Sequence, residues 1–295
     1  MKKLTVLALF LLISTKSFQN PWGFFAHKKI NKMAVFILPQ SMNQFFINHI
    51  ELLESQSVNA DKRRYAYKGE AIKHYIDIDA YSIDSPFVVM PKQWYEAVNK
   101  FSKDTILKYG ILPWNIKNQY QKLVDALKFG NAKRSINLAA DIGHYIADAH
   151  VPLHTTLNYN GQLSNQSGIH AFWESRLPEL YSESYNFILP NVIYIDDVLE
   201  IAWQIIEDSY NAKDSVLLLE QELNNQFSTD KKFSFEEIAS SNKKVYSVEY
   251  SIAYHEKLSG MVEKRMRNAV LTIGSVWFSA WVDAGQPDMN KWEVN

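Results

Sequence analysis

The run from His144 to Glu174 constrains this chain more than any other stretch. It reads H-Y-I-A-D-A-H-V-P-L-H, continues through an Asn/Gly-rich loop, and closes on G-I-H-A-F-W-E. Four of the eight histidines, His144, His150, His154 and His170, fall here, interleaved with Asp148 and Glu174. A helix stacks residues four apart on one face, so His144 and Asp148 can hold one metal ion together. Pro152 lacks an N–H and forces the residue before it extended, which predicts that the helix ends there. His154 then arrives from a turn and can point at a second ion. His170 and Glu174 repeat the four-residue spacing. With His154 they form a two-nitrogen, one-oxygen set suited to zinc, with one coordination position left for water or substrate. A single His/Asp pair at this spacing is more often a surface ion pair; the doubled pattern with a third histidine between is what points to metal. His150 lies two residues past Asp148, off the ligand face, and is expected to be a satisfied core or supporting histidine.

The surrounding composition is that of a globular protein, with 47% hydrophobic and 14% aromatic residues and a net charge of -1. Met1-Lys2-Lys3 followed by the apolar run Leu4 to Ile13 has the form of a secretory signal. The expected division is a signal over residues 1–21 and one domain over 22–295, with a secreted or periplasmic location. No later apolar run is long enough for a membrane span, so no transmembrane anchor is expected. An exported chain is free to form disulfides, yet this one has no cysteine. Bound metal could serve as the staple instead.

Helical periodicity dominates the rest. A helix is expected from about His27, through Ile30, Met33, Ala34 and Ile37, to Pro39. Two helical segments between Pro91 and Phe129 are broken at Gly110 and Pro113. Ser135 to Ala149 carries the first ligand pair. Asp197 to Phe227 forms a long helix, and Val245 to Trp281 the last, with Gly285 as its cap. Val192 to Ile195 is the best strand candidate. No linker divides the chain, and the expected fold class is all-α, a single multi-helix domain.

Three further motifs stand outside the central run: W-G-F-F-A-H from Trp22 to His27, D-K-R-R from Asp61 to Arg64, and K-H-Y-I-D-I-D from Lys73 to Asp79. Taken singly, Trp22 reads as a core aromatic, D-K-R-R as a solvated charge cluster and His74 as structural. In register with H-x3-D-x5-H and H-x3-E, the set resembles the superfamily of zinc-dependent phospholipases C and trinuclear-zinc, single-strand-specific nucleases. That resemblance implies three zinc ions in a cleft of an all-α bundle, hydrolysing phosphate esters. Asp61, His74, His144 and Asp148 look like the ligands of one zinc, and His154, His170 and Glu174 like those of the second. Trp22 and His27, with Asp148 bridging, look like those of the third. Arg64 matches the arginine that stabilises the charged transition state in the nuclease branch, and Tyr75 the aromatic that stacks a nucleobase there. The family pattern has Trp22 bind through a free α-amine, which requires the mature chain to begin at Trp22; here Pro21 precedes it, a poor residue to cut after.

The implied activity is that of a zinc-dependent phosphodiesterase in which a metal-activated water attacks phosphorus while Asp61 and Arg64 assist. Glu174 matches the phospholipase branch, and a single histidine five residues after Trp22 matches the nuclease branch. The charge of -1, with no basic stripe, argues against tracking a long polyanion. The expected substrate is therefore a phosphodiester, phospholipase C-like, with single-stranded nucleic acid as the alternative and no protein partner. The reading from another class is a non-catalytic helical protein stapled by zinc; structural zinc sites, however, are usually closed sets rich in cysteine.

Overall fold

Asparagine and proline bound the helix that carries the first ligand pair. In the computed structural model, which describes residues 23–238 and 241–292, the Ala132–Ala149 helix is capped by Asn131, whose side chain accepts the Arg134 N–H at 3.0 Å. That contact satisfies one of the donors a helix start leaves unpaired. The helix ends at Ala149, and Pro152 opens a short 3-10 turn, Pro152–Thr155, that carries His154. The apolar positions Ile136, Ala139, Ala140 and Ile146 are all buried.

This helix packs against Phe24–Phe36, Leu112–Lys128 and Met261–Asp283. Trp277 on the last of these donates its indole N–H to the Ala139 carbonyl at 3.1 Å and stacks on Phe46 at 5.1 Å. Gly143 makes the approach of the Phe24–Phe36 helix possible. A Cβ there would collide with the carboxamide of buried Asn31, one turn beyond His27. The Val198–Gln226 helix closes the other flank, packing on Leu112–Lys128 and on the Pro152–Thr155 turn. The buried apolar side chains form one cluster. The fold is all-α, 67% helical, and no described helix is long and apolar enough to cross a membrane. The signal over residues 1–21 and the Trp22 ligand lie outside the described residues.

Four local expectations need correction. Pro113 does not break a helix; it sits in the first turn of Leu112–Lys128, where its missing N–H costs nothing. Residues 94–109 form two helices, Trp94–Phe101 and Lys103–Tyr109, separated at Ser102, which has a φ of 70°. The last helical stretch is likewise two helices, Val248–Lys257 and Met261–Asp283, parted by Ser259 and Gly260, both at positive φ. Val192 to Ile195 is not a strand. It lies extended against the final helix, with the N–H groups of Ile193 and Ile195 donated to the hydroxyls of Ser275 and Ser279. The only sheet among the described residues is an antiparallel pair, Phe233–Ile238 with Ser241–Tyr246.

Candidate metal centre

Eight of the nine expected ligands are described, and the fold gathers them from six separate segments. His27 comes from the first turn of Phe24–Phe36 and Asp61 from the short helix Asn59–Arg63. His74 caps a 3-10 turn, while His144 and Asp148 share a face of Ala132–Ala149. His154 sits on the turn after Pro152, and His170 and Glu174 follow the Asn/Gly-rich loop. All except His170 are buried.

The turn bearing Glu174 is not the regular α-turn that the spacing suggests. Phe172–Arg176 is π-helical. Pro178 explains it, because the Glu174 carbonyl has no N–H four residues ahead and would meet the proline ring. Gly23, just ahead of the Phe24–Phe36 helix, donates its N–H to Ser175 Oγ at 2.8 Å, which ties the start of that helix to the same turn.

The outer nitrogens of three histidines are committed. Nδ1 of His144 donates to the Ser57 carbonyl at 2.8 Å, that of His154 to His74 at 2.6 Å and that of His170 to Tyr159 at 2.9 Å. A carbonyl only accepts, so each Nδ1 carries the proton. In the neutral ring, Nε2 then presents a lone pair inward, the arrangement by which proteins orient metal-binding imidazoles.

The inner atoms converge. His74 Nδ1 lies 2.9 Å from Asp148 Oδ2 and 3.1 Å from His144 Nε2, and His144 Nε2 is 3.3 Å from Asp148 Oδ2. Asp61 Oδ1 stands 3.8 Å from both histidines. In the second group, His154 Nε2 is 3.1 Å from His170 Nε2, and Glu174 Oε2 is 3.3 and 3.0 Å from those two atoms. Tetrahedral zinc with N and O ligands requires donor atoms about 3.3 to 3.5 Å apart. Both groups lie close to that separation. His27 Nε2 reaches Asp148 Oδ1 at 3.4 Å, its ring stacked on His144 at 3.9 Å, and its ligand atom also lies within 4.8 Å of those of Asp61 and His144.

The donor set fits an ion better than a hydrogen-bond network. Asp61 Oδ2 is buried without a hydrogen-bond partner, and the two facing Nε2 atoms of His154 and His170 cannot bond each other when both rings are neutral. Imidazole mixed with carboxylate suits zinc and similar transition metals, whereas calcium and magnesium take all-oxygen sets. Thus the buried His/Asp and His/Glu groups can hold metal ions.

In the metal-free chain the titrations are pulled apart. Burial drives His74 down to about 4. Burial also disfavours charged His144, but Asp148 and Asp61 outweigh it and hold that imidazole up at about 9. Burial would raise the Asp148 and Glu174 carboxyls, yet their histidine neighbours hold both below the usual range.

A cleft of about 630 Å³ opens onto the second group. Arg64 lines it, with its guanidinium 3.5 Å from Asp61 Oδ1 and about a third of its side chain exposed. Tyr75 lines it too, half-buried. His150 stands apart as expected. It is buried, its Nδ1 donates to the Ile146 carbonyl at 2.8 Å, and its own carbonyl receives Arg265. Sequence reasoning did not single out Tyr65, Asp77 and Tyr159, which also line the cleft. Burial and Asp79 push the Asp77 carboxyl up to about 7, with His154 opposing. Asp77 lies within the H-Y-I-D-I-D motif, two residues past Tyr75, at a tight turn closed by the Ile78 N–H on the Ile76 carbonyl at 2.9 Å. Tyr65 and Tyr159 carried no comparable pattern.

Compared with known proteins, the chain matches no protein-family model and no curated protein.

Proposed function

We propose that this chain is an exported, zinc-dependent phosphodiesterase of the phospholipase C type. The observation that carries the reading is the convergence of imidazole and carboxylate donors on two adjoining points, with the outer nitrogens of His144, His154 and His170 already committed to carbonyls. Asp61, His74, His144 and Asp148 would hold one zinc, and His154, His170 and Glu174 a second. His27 and Asp148 would supply part of a third, and the tie from Gly23 to Ser175 holds the start of the Phe24–Phe36 helix beside the Glu174 turn. Zinc in such sites lowers the pKa of a bound water towards ~7 and polarises phosphoryl oxygens.

The chain's own groups complete the chemistry. Arg64 offers a planar, permanently charged fork to the phosphoryl oxygens that gain charge as phosphorus is attacked. Its ion pair with Asp61 aims that fork at the cleft. The buried cluster excludes bulk water and strengthens each of these interactions. Tyr75 would form a wall against the group esterified to the phosphate. The same tyrosine supports the second reading, a single-strand-specific nuclease in which it stacks a base.

The test is metal analysis together with turnover. At least two zinc ions per chain and hydrolysis of a bis-aryl phosphate diester are expected. Fewer than two zinc ions, or no turnover by the loaded protein, would sink the proposal. Parallel assays on phosphatidylcholine and single-stranded DNA separate the two substrate readings.

A further inference from the structure

The loop between His154 and His170 is built the wrong way round for a water-facing turn. Residues 156–168 read T-L-N-Y-N-G-Q-L-S-N-Q-S-G, with no charged residue. Two of the amide side chains, Asn158 and Gln162, turn back onto the loop itself. Asn158 accepts the Leu163 N–H at 2.7 Å and donates to Ser164 Oγ at 2.9 Å. Gln162 accepts from Asn160 N at 2.9 Å and donates to the Leu157 carbonyl at 2.6 Å. Asp79 holds the entry through Leu157 N at 2.9 Å and Thr156 Oγ1 at 2.6 Å. Fully buried Glu220 holds the exit through Gln166 Nε2 at 2.6 Å. The fold back at Gly161, φ 69°, passes so near Gln166 that a Cβ would strike its backbone. The apolar side chains face out instead, with Leu163 71% and Leu157 38% exposed.

In water this arrangement exposes apolar area and spends amide side chains on backbone groups that water would satisfy. At a lipid surface both features become favourable. Exposed apolar side chains gain by entering the boundary between headgroups and acyl chains, and backbone carried to that depth must already have its hydrogen bonds made. We propose that the Leu157 to Leu163 edge docks the protein onto a phospholipid bilayer, a step that rests on the phosphodiesterase reading and names membrane phospholipid as its substrate. The docking edge is continuous with the centre, because Tyr159 lines the cleft and its carbonyl accepts the His170 Nδ1–H. A nucleic-acid strand would call for cations on this loop, and it has none. A zwitterionic lipid surface needs none.

The test uses the zinc-loaded full chain, phosphatidylcholine vesicles and a soluble bis-aryl phosphate diester. Leu157→Ser with Leu163→Ser should weaken vesicle co-sedimentation and vesicle turnover by at least about tenfold while leaving soluble-diester turnover unchanged. Because the chain has no cysteine, Leu163→Cys gives a unique thiol for a polarity-sensitive dye, which should shift to the blue on vesicles and stay unmoved by single-stranded DNA. An unshifted dye, or equal vesicle binding by parent and double variant, overturns the proposal. So does a double variant that converts a dimer to monomer with vesicle turnover intact, since the edge would then be a contact between copies. Vesicle docking without turnover of either substrate would uphold the docking and remove the phosphodiesterase reading instead.

Discussion

Asp148 is the residue on which the centre turns, since one carboxylate lies within 2.9 to 3.8 Å of imidazole nitrogens from His27, His74, His144 and His154. Asp148→Asn keeps the shape and removes the charge. Removing a group that merely supports a metal ligand costs roughly 10- to 100-fold in affinity or activity, so this variant should lose at least about 100-fold in diester turnover and bind less zinc. His150→Gln, two residues on, should keep its full zinc content and cost only about 1 kcal/mol of stability through the lost bond to Ile146. Equal zinc loss in the two variants would mean that the ligand face of this helix is misread. His144 yields a pH test. Its folded, metal-free pKa of about 9 lies above the ordinary 6.5. Its ion pairing therefore stabilises the metal-free chain fully below pH 6.5, and that contribution is lost as pH rises through about 9. Zinc must displace the same proton, so at pH 7.5 binding should release protons. Apparent affinity should climb by about tenfold per pH unit towards 9 for each proton displaced. Calorimetry in buffers of different ionisation heat measures the release; a heat independent of buffer would contradict it. The clustering of these residues was legible because the residue types able to bind metal are few and their spacing here is regular. The carbonyls of Ser57, His74 and Tyr159 that set the tautomers were not, because any residue can supply a carbonyl.

At the scale of elements, the helices showed through where apolar period and punctuation agreed, and failed where one signal had two meanings. Val198–Gln226 matches expectation to within a residue, with Asp197 capping it through Leu199 and Glu200 N–H groups. Proline misled at Pro113, since the same residue ends one helix and opens another. The π-turn under Glu174 was hidden because Pro178 acts four residues away from its effect. The strand pair at 233–246 escaped notice because its alternation is broken by the consecutive charges Glu236-Glu237 and Lys243-Lys244. The cap of Ala132–Ala149 yields a prediction that belongs to this scale. Asn131→Ala leaves the Arg134 N–H without its acceptor and should lower unfolding stability by about 1 kcal/mol. Zinc content should not change, because His144 and Asp148 both lie more than about three turns further on. A urea midpoint unchanged from the parent would show that the cap contributes nothing.

For the whole molecule the question is whether metal builds the fold or only occupies it. The apolar cluster around Trp277, Phe46, Ile136 and Trp203 is continuous, and Met261–Asp283, which carries none of the donors, packs on Phe24–Phe36, Leu112–Lys128 and Ala132–Ala149. The centre sits where six segments meet, and it concentrates buried titratable groups that could hold cations. Metal should therefore add stability without being required for folding. With zinc at a thousandfold excess over its Kd, each filled site contributes about 4 kcal/mol. In a chain of this size each kcal/mol moves Tm by roughly 2 to 4 °C. Chelation should thus lower Tm by on the order of 10 °C for each site emptied, while far-UV circular dichroism at 25 °C keeps its helical form and diester turnover disappears. A chelated chain that unfolds at 25 °C would make the donor clusters structural staples, the reading in which catalysis plays no part. An unchanged Tm would mean that the folded chain binds no metal at all.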